Sequence, residues 1–332
     1  MSRPATREHH PARRQARTRT ATRARVPGVS IPRDRDHAVL EMAGRRVQLT
    51  NLRKPFWPEV GLVKGDLLQY YADVAPVLLP HVRDRAMVMR RYPDGASGPS
   101  FFMKRAPTPR PEWIELCSIA HASGNVIDFP LVQDVPSLLW LVNLGCIDLN
   151  QWYARCDDVD RPDYLHFDLD PGTAPFEQVI EAAFVLQEAL AALRMPNYVK
   201  TTGSRGLHLY VPIVRGPLQK QVWTVANALA QELAGRHPHV LTAEYRVAKR
   251  PDRRVLIDYN QNAWGRTLAS VYSVRPHPRA SVSTPITWAE LRRGVKTEDF
   301  RLDNVRARLA AVGDLWAPLL AARGRFDLRR LE

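Results

Sequence analysis

Residues 164–172, YLHFDLDPG, set two aspartates two positions apart inside an apolar run. A strand turns successive side chains to opposite faces, so Asp168 and Asp170 share one face while Leu165, Phe167 and Leu169 take the other. The run therefore predicts a strand with one face in an apolar core and one carrying paired carboxylates, ended by Pro171 and Gly172. Two acids held side by side repel unless a cation or a shared proton neutralises them, which makes the pair a candidate divalent-metal site. Taken alone, the same pattern serves equally well as a solvated strand end.

The flanking sequence alternates between strand and helix periods. AVLEMAGRRVQLTN predicts a hairpin about Ala43 and Gly44, and KGDLLQYYADVAPVLLPHV predicts a helix. MVMRRYPDG reads as a strand entering a turn, RAPTPRPEW as a proline-rich loop and SLLWLVNLG as a buried helix. After the Asp168 strand come a helix over FEQVIEAAFVLQEALAALR, the strand NYVKTT, a TGSRG turn and the strand LHLYVPI. A helix over QVWTVANALAQELAGR and the strand RRVLIDYNQ follow, and the stretch from TWAELRRG to LRRLE reads as polar and helical. Strands interleaved with helices, without an internal repeat, make the chain α/β or α+β.

With 332 residues, 45% of them hydrophobic, the chain has material for one large core or two closely packed modules. No run of 18 apolar residues occurs, so no membrane partner is expected. The three cysteines, Cys117, Cys146 and Cys156, form no C-x-x-C pair and no complete disulfide framework, which suggests a reducing cytoplasm. The formal charge of +14 is concentrated at the start: residues 1–36 hold ten Arg against Glu8, Asp34 and Asp36. Residues 1–37 are expected to form a disordered basic arm, either a solvated tail or a polyanion-binding one, ahead of a catalytic domain over 38–332.

Three further clusters could carry chemistry. In TTGSRGLHLY the glycines Gly203 and Gly206 allow a tight turn whose N–H groups face an anion, with Ser204, Arg205 and His208 adding polar groups. Such a turn is most often only a hairpin. Asp258 ends an apolar strand and could complete a three-carboxylate cage, or simply cap a turn. Phe101 and Phe102, beside Lys104 and Arg105, would turn opposite ways on a strand, leaving one ring free to stack on a base or both within the core.

D-x-D, then S-x-x-x-H, then a strand ending in Asp, in that order, resembles the three motifs of the archaeo-eukaryotic primase superfamily. The closer resemblance is to the polymerase domain of bacterial DNA ligase D, from LTNLRKPFWPEVGLVKGDLLQYYADVAPVLLPHV through RRYPDG, FFMKRAP, FDLDPG, TTGSRGLHLYVPI and IDYNQNAWGRTLASVYSVRP to STPITWAEL. It implies an α+β fold, an RRM-like sheet bearing the acids packed against an N-terminal α/β module. It further implies that Asp168, Asp170 and Asp258 hold two Mg²⁺ or Mn²⁺ ions for nucleotidyl transfer. Ser204, Arg205, His208 and Arg275 would meet the nucleotide's phosphates, with Gln261 nearby. Phe101 and Phe102 would pack against the template beside Lys104, and Lys54 and Lys64 would hold the 5′-phosphate of a downstream strand.

The chain departs from the family pattern at several positions. Arg205 stands where Lys is usual, Asn150, Gln151 and Trp152 replace a His-Pro-Trp run, Met103 replaces a polar residue and Arg90 replaces Lys. The resemblance implies a cytoplasmic, nucleoid-associated enzyme that extends primers with NTP or dNTP at gaps or broken DNA ends. Its partners would be an end-binding ring protein and a separate DNA ligase. A non-catalytic end-binding scaffold and a metal-dependent nuclease are the alternatives.

Overall fold

The Asp168 strand, Tyr164–Asp170, lies inside a six-stranded sheet. In order across the sheet run Leu241–Thr242, Val255–Asp258, Tyr164–Asp170, Leu207–Pro212, Tyr198–Thr201 and Pro285–Ile286. All neighbours are antiparallel except the first pair. Leu165, Phe167 and Leu169 are fully buried on one face. Two helices cover that face: α3, Phe176–Ala192, through Val179, Ala183 and Leu186, and α4, Gln219–Arg236, through Val222, Ala226 and Ala230. The computed structural model describes residues 28–331.

A four-stranded antiparallel sheet carries the second layer: Leu268–Ala269, Cys146–Gln151, Met87–Arg91 and Phe101–Met103. Helix α1, Lys64–Val82, packs on it, and the Tyr71 hydroxyl donates to the Ile147 carbonyl at 2.8 Å. Helix α2, Val135–Asn143, starts at Asp134, whose carboxylate accepts from the Ser137 N–H at 3.0 Å and satisfies an otherwise free helix-end donor. Apolar burial is continuous from Val47 in the first hairpin to Leu328 near the C-terminus. The α+β expectation therefore holds.

Most elements fall where their periodicity placed them, including α1 and the hairpin Ala38–Met42 with Arg45–Leu49. Three differences have physical causes. The stretch expected to be helical from Trp288 onward contains only Trp288–Arg292 and Val305–Val312 as α-helix, because Gly294, Gly313 and Gly324 at positive φ and Pro318 break it. The cysteines do pair: Cys117 and Cys156 form a disulfide, Cα atoms 5.9 Å apart, while Cys146 is free and buried. Cys117 lies on the strand Leu116–Ala120 and Cys156 in the turn after Ala154–Arg155, 39 residues apart, a separation with no motif to announce it. The expected basic arm lies outside the described residues over 1–27, and its last part is packed. Ile31 is buried, and its N–H donates to Gln69 Oε1 at 2.8 Å on α1.

Candidate active site

Antiparallel register decides which side chains meet beside Asp168. Its Cα pairs with Asp258 on one neighbouring strand and with His208 on the other, and Asp170 is two residues along the same face. His208 Nε2 lies 3.3 Å from Asp168 Oδ1. Burial, reinforced by the charge of Asp170, pushes the Asp168 carboxyl up to about 7, and burial likewise raises Asp258. Other oxygens of the set already have partners. Asp170 Oδ2 is 3.4 Å from Arg250 Nη1, and Asp258 Oδ2 accepts from Gln261 Nε2 at 2.9 Å.

Three carboxylates on adjacent strands supply hard oxygen donors, the ligand type that Mg²⁺ and Mn²⁺ prefer, and their mutual repulsion is what a cation would relieve. The donor set therefore fits divalent metal. Among the described residues, no three His, Cys, Asp or Glu side chains already converge on one point.

The turn after Thr201 closes the site on the next side. Gly203 has φ +67, and a Cβ there would come within 2.7 Å of Arg275 Cγ and 2.9 Å of the Ser283 nitrogen, so only glycine lets the turn lie against Arg275. Gly206 lies against the Leu169 carbonyl in the same way. Ser204 and Arg205 are thereby exposed at the rim of a cavity of about 250 Å³, lined also by Asp168, Asp170, His208 and Arg275. Asp258 and its partner Gln261 lie behind Asp168 and do not line that cavity.

Two groups predicted to touch DNA lie in the other layer. Phe101–Met103 is an edge strand, so both phenyl rings are exposed rather than one, at 45% and 62%, with Lys104 exposed after them. Arg91 and Arg90 lie 5.4 and 5.3 Å from the two ring centres. Lys54 and Lys64 meet in a second cavity of about 360 Å³, together with Arg91, Thr50 and Asn143. Lys64 Nζ donates to the Thr50 carbonyl at 2.7 Å, and Lys54 pairs with Asp94 at 2.9 Å. Burial and the neighbouring Lys54 pull the Lys64 amine down to about 8.

Further side chains around these motifs have no sequence signal of their own. Lys200 is fully buried, its Nζ 2.7 Å from His208 Nδ1 and 3.1 Å from the Ala269 carbonyl. Its place opposite His208 on the NYVKTT strand follows once the two strands are paired in register. Asp148, buried 3.3 Å from Arg275, and Arg250 beside Asp170 come from segments whose patterns show no chemistry, whereas Arg91 in the second cavity belongs to the RRYPDG block without an assigned role there.

Residues 63–316 match the family model described as LigD, primase-polymerase domain. The chain is 32% identical over 277 residues to the multifunctional non-homologous end joining protein LigD of Mycolicibacterium smegmatis, covering 82% of this chain and 36% of that protein. It is 28% identical over 270 residues to the bifunctional LigD of Bacillus subtilis, covering 81% of this chain and 43% of that protein. Among solved structures, the polymerase domain from Mycobacterium tuberculosis ligase D in complex with DNA superposes with a TM-score of 0.78 at 30% identity, over 83% of this chain and 99% of that one. Carboxylates paired by register, a glycine turn at the cavity rim and this breadth of match agree, and the chain belongs to the LigD primase-polymerase domain family.

Proposed function

We propose that the protein is a template-directed nucleotidyltransferase that adds NTP or dNTP to primer ends at gaps or breaks in DNA, in non-homologous end joining or a related repair. The observation that carries the reading is the register that puts Asp168 between Asp258 and His208, with Asp170 beside it at the floor of a polar cavity. Asp168, Asp170 and Asp258 would hold two divalent cations, Mg²⁺ or Mn²⁺, which would supply acidification of the primer 3′-hydroxyl and neutralisation of the departing pyrophosphate. Ser204, Arg205 and Arg275 orient the triphosphate from the rim, and His208 faces it from the floor. Such positioning and charge complementarity make up most of the catalysis available to phosphoryl-type transfer. The exposed Phe101 and Phe102 give a stacking surface for template bases, with Lys104 beside them. An end-binding ring protein and a DNA ligase activity are the partners this reading calls for, in the cytoplasm at the nucleoid. Among the described residues, no helix is long and apolar enough to cross a membrane.

A labelled primer on a gapped template with a 5′-phosphorylated downstream strand, Mn²⁺ and each NTP or dNTP tests the assignment. Templated extension is expected. Primer shortening would instead mark a nuclease, and tight binding with no change in the primer would mark a scaffold.

The Lys54 and Lys64 cavity is proposed to recognise that 5′-phosphate, and its charge state gives the reading a pH signature. Lys64 is charged below about pH 8 and neutral above it. The affinity ratio of 5′-phosphorylated over 5′-hydroxyl gapped DNA is therefore expected to fall between pH 7 and 9, whereas Lys64→Met lowers the ratio throughout and flattens its pH dependence. Fluorescence anisotropy measures both. A ratio that falls equally in the variant would place the recognition elsewhere.

A further inference from the structure

Asp148 is a buried carboxylate between two cations that belong to different sites. Its side chain is 2% exposed, with Arg275 Nε 3.3 Å from one oxygen and Arg90 Nη1 3.7 Å from the other. The Tyr92 hydroxyl reaches the second oxygen at 3.4 Å. Arg275 lines the nucleotide cavity. Arg90 sits across from Asp148 in one strand pairing and across from Phe102 in the next, and its guanidinium lies 5.3 Å from the Phe102 ring centre. Phe102, Arg90 and Asp148 thus form one row over three neighbouring strands, extended by Arg275 into the cavity.

One negative charge serves two guanidinium groups, so each cation weakens the hold on the other. The Arg275 contact is an ion pair without hydrogen-bond alignment, since Asp148 Oδ1 and Arg275 Nε are both buried without a hydrogen-bond partner. A group held by charge but left unaligned is free to re-aim toward a stronger anion. We infer that Asp148 is a positioning residue that ties the nucleotide cavity to the aromatic platform. When a triphosphate draws Arg275 forward, Asp148 is left to Arg90, which firms the cation beneath Phe102. A template base stacked on Phe102 acts back along the same row. This rests on the proposed roles of Arg275 and of the Phe101 and Phe102 platform.

Single-nucleotide insertion by the full chain on gapped DNA, with kcat and KM measured for matched and mismatched NTP, tests it through Arg275→Ala, Asp148→Asn, Arg90→Ala and the Arg90→Ala/Asp148→Asn pair. Asp148→Asn is expected to raise the matched-nucleotide KM about tenfold, the scale of a coupling between two sites, and to lower discrimination against mismatches. Arg90→Ala truncates a side chain outside the cavity and one-third exposed. It is expected to raise the same KM in the parent and to add nothing in the Asp148→Asn background. An unchanged KM in Arg90→Ala, an equal effect in both backgrounds, or a fall in kcat alone overturns the inference. If Asp148→Asn fails to fold, Arg90→Ala alone decides. Arg275→Ala with an unchanged KM would remove the triphosphate reading and the inference together; a raised KM there with none in Arg90→Ala removes the inference alone.

Discussion

Asp168→Asn is expected to reduce nucleotide insertion by about 10³-fold or more, the scale seen when a preorganised electrostatic group is removed from a reacting centre. Asparagine keeps the shape and deletes the charge, so the strand pairing with Asp258 and His208 survives. Stability should move the other way. Burial and Asp170 make the ionised Asp168 unfavourable in the free protein, as its raised pKa of about 7 shows. Removing that charge relieves repulsion, so the melting temperature stays equal or rises, the usual relation between a strained site and the fold that carries it. Binding to gapped DNA should persist, because the Lys54 and Lys64 cavity lies in the other layer. Residual insertion above about a tenth of the parent rate would show that these acids are not the reacting centre.

The second large effect is structural. Arg85 is completely buried and donates to three oxygens: the His81 carbonyl at 3.1 Å, the Tyr153 carbonyl and Asp163 Oδ2 at 2.7 Å. It follows α1 and reaches the residue just before the Asp168 strand, so it joins the two layers through polar contacts. Removing one member of a buried ion pair typically costs about 3–5 kcal/mol, because the partner stays buried and uncompensated. Arg155, 3.4 Å from Asp163, offsets only part of that. Arg85→Met, which roughly keeps the volume, should lower the melting temperature by about 10 °C. A calorimetric shift under about 3 °C would mean that Arg155 alone neutralises Asp163.

Arg85 also shows where sequence reading stops. Local periodicity located α1 over Lys64–Val82 and the Asp168 strand, because burial on one face leaves a pattern within ten to twenty residues. The buried helix is legible up to Gly145, but the strand Cys146–Gln151 after it is not, since CIDLNQ is buried on both faces and shows no alternation. Gly145, at φ +81, marks the helix end in sequence and structure alike. At the site, motif residues such as Asp168, Ser204 and His208 were legible because they sit in short runs. The partners that hold them were not. Lys200 meets His208 across the TGSRG hairpin only once its register is fixed, and Asp148 meets Arg275 and Cys117 meets Cys156 only after segments far apart in sequence are laid side by side.

The interior position of the Asp168 strand has a consequence for how the molecule comes apart. Residues 164–169 pair with Leu207–Pro212, residues 168–170 pair also with Val255–Asp258, the His166 N–H donates to Asn262 Oδ1, and α3 and α4 cover one face. Hydrogen exchange of residues 165–169 should therefore require global unfolding, while the edge strand bearing Phe101 and Phe102 exchanges through small fluctuations. The carboxylates of this strand would then be among the last groups to lose their arrangement on heating, and the exposed phenyl edge proposed to meet the template among the first.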